Sequence, residues 1–349
     1  MNGQTKEKRQ APAWGRLLLV GLVALLVAGT GIVLIPRDSG VPDDVSFTEA
    51  ARRGALDSTL ELRSSSLALQ DAGSLPAPAA GSQGIVTLLT THARALQSPA
   101  TSRPSGTVST GAVAPSKAAF VAGLSASGHQ RLRDAREADG GIARLLAAVG
   151  TSQLLAAEEL ATAWQLPAPG PVPDQGGSTT AAGPVSCPSV SPTSEPGSAT
   201  TDAALAAAVR SGQEAVYVYQ VALKRIEAGS ADSAAAALAA HEQLLHQAET
   251  LTRANCGDVP APEAGYRLPA QFAQSPAAAL GALEAASLPR FGDLVALSTG
   301  GTRDWAISGL LATGRRSALW GAPLPPLPGL TLDAGNLPPL PTPSDSNAG

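Results

Sequence analysis

Apolar positions recur every three or four residues along most of this chain, the spacing of helices that bury one face. They predict eight helices, over residues 46–69, 83–97, 117–139, 142–164, 202–227, 230–254, 276–297 and 302–320. Leu56, Leu60 and Leu67 mark the stripe of the first; Leu145, Leu146, Val149 and Leu155 mark that of the fourth. The pair Gly140 and Gly141, then Gly229 and Gly257, are expected to stop helices. Residues 165–200 are low-complexity Pro, Gly, Ser and Thr, which cannot bury a core and read as a linker. The chain is therefore expected to be all-α, with one helical bundle over 46–164 and a second over 202–320. A Pro-rich tail, 321–349, follows and should lie partly on the bundle.

Ahead of the helices, residues 1–16 carry Lys6, Lys8, Arg9 and Arg16. From Leu17 through Ile35 there is no charged side chain, enough to span hydrocarbon as a helix. The basic flank should stay in the cytoplasm and the bulk of the chain outside it, making a single-pass protein of the cell membrane. The run reads as an uncleaved transmembrane anchor; a cleaved signal peptide is the alternative. No Cys closes it, so lipoprotein anchoring is excluded.

Composition narrows the picture. Net charge is −4, so there is no basic footprint for nucleic acid. Four His and two Cys are thin material for metal chemistry. In an exported chain the two Cys can pair. If helices 202–227 and 230–254 are antiparallel, Cys256 ends near the start of the first, within reach of Cys187. Closing that loop would contribute roughly 4 kcal/mol by chain entropy.

Candidate chemistry lies on the sixth and seventh helices. At 100° per residue His241 falls among Leu238, Leu244, Leu245, Ala248 and Leu251, at the centre of an apolar face. Glu284 falls among Leu280, Leu288, Phe291 and Val295. A buried carboxylate needs a partner, so His241 and Glu284 are expected to form a buried polar pair on adjacent helices. Glu242 and His246 lie to one side of His241. The sharper alternative is an iron or manganese site built from His241, Glu242, His246 and Glu284. Di-metal bundles place a Glu on two helices and Glu-x-x-His on the other two. Here Glu242 and His246 are four apart, the last helix offers only Asp304, and Glu214 points away from the core. The full set is absent, and no catalytic residue is assigned. His92 and His241 share Leu neighbours at the same offsets (Leu89 and Leu96; Leu238 and Leu245), which suggests a distant repeat.

Val216, Tyr217 and Tyr219, then Ala240 and His241, then Pro260, Ala261, Pro262, Glu263, Tyr266, Leu268 and Pro269 resemble a known pattern. Leu283, Glu284, Trp320, Pro328, Gly329 and Leu330 extend it. The resemblance is to the uncharacterised ferritin-like domain of actinobacterial envelope proteins, over about 202–330. It implies that the second bundle is a ferritin-like four-helix bundle. That family usually carries Glu-His at the positions held here by Gly212 and Gln213, so no working iron site is implied. The expected function is a membrane-anchored envelope protein with a structural or partner-binding role and a degenerate metal site. Expected partners are the membrane, through 17–35, and an unidentified envelope protein or a second copy of the chain.

Overall fold

The computed structural model describes residues 45–78, 83–97, 115–170, 199–268 and 270–340. Among them are eight α-helices and no strand: α1 (Phe47–Asp71), α2 (Ile85–Leu96), α3 (Lys117–Glu137), α4 (Gly140–Ala163), α5 (Thr201–Ala222), α6 (Ala228–Ala254), α7 (Pro276–Leu297) and α8 (Gly300–Leu319). The run from Leu17 through Ile35, Cys187, and most of the expected linker lie outside the described residues.

Polar caps set several helix starts. Ser46, Ser116 and Thr200 each accept a backbone N–H three residues on. Two expected stops fall elsewhere. Gly140 begins α4 behind Asp139, and Gly229 lies in the first turn of α6. The chain leaves α5 at Leu223 instead, five residues short of the expected end. At the end of α6 it is Cys256, at φ 61, that takes the left-handed position, while Gly257 N–H reaches back to the Thr252 carbonyl.

The two sets of four helices do not form separate compact units. Residues Ser46–Gly349 cluster as one. The reason is α4: every residue from Leu145 to Ala157 is buried, so it is a helix wrapped on all sides. It packs on α1, α2 and α3 from its own half and on α7 and α8 from the other. By length and composition alone α4 could cross a membrane, but 67% of its apolar window is buried within the structure. One core joins Leu146 and Val149 to Leu205, Leu294 and Leu310.

Charged side chains close the same seam. Arg144 pairs with Asp293 at 2.6 Å, and Arg315 with Glu158 at 2.6 Å. Arg303 donates to the Ala138 carbonyl at 2.6 Å, just past the C-terminus of α3, where a cation is favoured. The Pro-rich segment after α8 is a strap. Leu327 is buried in the shared core. The Pro326 carbonyl accepts from His92 Nε2 at 2.8 Å, and the Gly329 carbonyl accepts from Arg144 Nε at 2.7 Å. Gly329 has φ +87 and its carbonyl lies against Gly292, where any Cβ would collide with it.

Candidate functional site

In the second half, α5 packs on α6 and α7, and α8 packs on α7 and α6. Helices α6 and α7 therefore face one another across the bundle, where adjacency was expected. His241 and Glu284 meet in the middle: His241 Nε2 lies 2.7 Å from Glu284 Oε1. Glu284 is wholly buried and His241 is 6% exposed.

Two further donors reach the carboxylate. Tyr219 O–H, on α5, donates to Oε1 at 2.7 Å. Arg316, on α8, places its Nε 3.1 Å from both Oε1 and Oε2. Trp320 Nε1–H donates to the Tyr219 oxygen at 2.7 Å, and Arg316 Nη2 donates to Thr313 Oγ1 at 2.9 Å. All four helices thus converge on one carboxylate. Every group facing Glu284 is a donor, so His241 presents Nε2–H to it and, when neutral, keeps its lone pair on Nδ1. Burial works to raise the Glu284 pKa; hydrogen bonding and charge from His241, the Arg316 guanidinium and the Tyr219 hydroxyl outweigh it and hold the group below the ordinary carboxylate range. Burial, then the Glu284 charge, pushes the Tyr219 hydroxyl far above its ordinary value, so it stays a donor.

The residues of the alternative metal site are not gathered. Glu242 and His246 lie on the exposed face of α6, away from the His241–Glu284 pair. Only Ala234, Ala237, His241, Ala248 and Thr252 of that helix are buried. Among the described residues no group of three or more His, Cys, Asp or Glu could hold a metal ion. At the level where a ligand from α5 would be needed stands Gly212, against Leu245. Arg316, a permanent cation, already lies on both carboxylate oxygens. These residues do not fit iron or manganese.

Gln213 is buried and does a different job. Its Nε2 donates to the Pro260 carbonyl at 2.9 Å, and Tyr266 O–H donates to its Oε1 at 3.3 Å. The Tyr266 ring also lies 5.5 Å from that of Tyr217. The connection between α6 and α7 is thereby pinned to α5.

Arg316, Trp320 and Thr313 were not singled out as site residues from the sequence. The available signal was spacing: Thr313, Arg316 and Trp320 sit at i, i+3 and i+7, one face of α8. Beside the network a small cavity opens between the four helices, lined by His241 and by Ser211, Gly212, Leu245, Arg290 and Trp305 among others.

Residues 204–332 match a domain of unknown function, DUF4439, a ferritin-like-type domain family. The match begins in α5, includes α6, α7 and α8, and ends within the strap. No curated protein and no solved structure matches the chain.

Proposed function

We propose that this chain is a non-catalytic protein of the cell envelope, held in the membrane by the run from Leu17 through Ile35. In this reading its second half is a ferritin-like bundle in which a protein-only charge network stands in place of a metal centre. Its role is structural or partner-binding, with an envelope protein or a second copy of the chain as the partner. A Cys187–Cys256 disulfide would close the end of α6 onto the segment before α5.

One observation carries the reading. The Arg316 guanidinium lies on both oxygens of a Glu284 that solvent does not reach. Three donors crowd Oε1, and the guanidinium cation spanning both oxygens opposes a metal ion at Oε2. The test is elemental analysis of the full chain expressed in medium supplied with iron and manganese. Metal well below one equivalent per chain is expected. One equivalent of either, lost on E284Q substitution, would overturn the proposal.

A further inference from the structure

The small cavity beside the network measures about 30 Å³, room for roughly two waters. It exists because α5 presents Ala208, Gly212 and Ala215 there, where larger side chains would fill the space. Leu244, Leu245, Phe291 and Trp305 give it an apolar wall, and among the described residues no carboxylate lines it. Its two serines have spent their protons. Ser287 donates to the Leu283 carbonyl at 2.9 Å, so Ser211, 3.4 Å away, is left to donate to Ser287 Oγ.

Two other lining groups still have donors to give. Arg290 spends one N–H on Ser211 Oγ, and among the described residues its guanidinium meets no carboxylate. The rest of its planar fork of N–H groups is unspent. Thr313 is wholly buried, and its Oγ1 accepts from Arg316. That bond does not use the Thr313 O–H proton, which has no acceptor among the described residues.

The local charge is lopsided in the same sense. Glu284 is matched by Arg316, and Asp293, one turn beyond Arg290, by Arg144. With His241 neutral, Arg290 leaves the cavity one positive charge in excess. Donors, a cation and an apolar wall suit an anion that sheds its hydration readily. The volume shuts out phosphate, sulfate and carboxylates with tails. A halide ion, little larger than a water molecule, fits.

We propose that this cavity is a chloride site, the ion held between the Arg290 guanidinium and the Thr313 hydroxyl. Bound there, it brings the local charge to balance: Arg290 and Arg316 against Glu284 and the ion. This goes beyond the structural role above and does not depend on the absence of metal.

The test is the NMR line width of chloride over the purified full chain in non-ionic detergent, with sodium gluconate holding the ionic strength. Exchange with a protein site broadens the line. The excess width should saturate with chloride and be removed by bromide. R290M should bind about tenfold more weakly or worse, the size of a lost charge-assisted hydrogen bond. A second variant, G212A, keeps Arg290 and sets a methyl group in the cavity, where it meets Leu245 Cδ1 at 3.2 Å. Alanine also suits a helix better than glycine, so this variant should fold and still lose the excess width. No saturable broadening in wild type would mean that the cavity holds water only, and would overturn the proposal. So would failure of bromide to displace chloride, or wild-type broadening in folded R290M or in G212A.

Discussion

Replacing Glu284 by Ala should cost about 3–5 kcal/mol of stability, as expected when one partner of a buried ion pair is removed. The loss strands the Arg316 guanidinium, whose side chain is only 11% exposed, along with the His241 and Tyr219 donors. R316M should cost a similar amount, because Glu284 then loses the permanent cation that spans both its oxygens. From the sequence pair alone, one would expect H241L with E284M to recover much of the loss. The structure changes that expectation: this double replacement still leaves Arg316 buried without its carboxylate. Recovery should come only with the triple replacement H241L, E284M and R316M, since an apolar substitute for a whole buried charge group is often neutral or stabilising. Urea unfolding of the four variants measures this. A double variant already as stable as wild type would show that Arg316 is not part of the balance.

Acidification should destabilise the fold through His92. Its ring is fully buried, Nε2–H donates to the Pro326 carbonyl, and Nδ1 has no partner among the described residues. Burial pushes its pKa down from 6.5 to about 4, against a smaller opposing effect of the Pro326 carbonyl. The folded state therefore holds fewer protons than the unfolded one between these values. Stability from this group is fully present above pH 6.5, falls as pH drops, and is gone below about 4. The full change is about 3 kcal/mol. Most of it should fall above the range where carboxylates titrate, so Glu284, whose depressed pKa gives the same sign, interferes little. The measurement is unfolding free energy between pH 7 and pH 4.5 in wild type and in H92Q. Wild type should lose more, by most of that amount. Equal losses would mean that His92 is not held neutral.

Much of this was legible before the structure. Helical spacing located the eight helices of the described residues, because their apolar stripes are long and Pro, Gly and polar caps separate them. His241 and Glu284 stood out as polar groups centred on apolar faces, and the structure brings them together. The same rotation put Glu242 and His246 to one side, and they lie on the exposed face. Arg316 was not legible, for a physical reason. The buried face of α8 is made of Thr302, Gly309, Thr313, Gly314 and Ser317 as much as of Ile307 and Leu310. With so weak an apolar stripe, the spacing of Thr313, Arg316 and Trp320 is too slight a signal to tell Arg315, which turns outward to Glu158, from Arg316, which turns in. The union of the two halves was hidden for a related reason. The Pro/Ser/Thr composition of 165–200 suggests a boundary. What crosses the seam, however, is long-range: Arg144 to Asp293, Arg303 to the end of α3, and the strap on His92. Spacing along the chain carries no signal of such pairings.

A charged Glu284 neutralised by protein groups is the centre of this bundle. A double-mutant cycle in the full chain tests this most directly, using E284Q, R316M and the pair together. Each single change removes one charge with little change of shape. A buried pair in contact should give a coupling energy of about 2 kcal/mol or more. Losses that add to within about 0.5 kcal/mol would contradict it, and Arg316 would then be a bystander to Glu284.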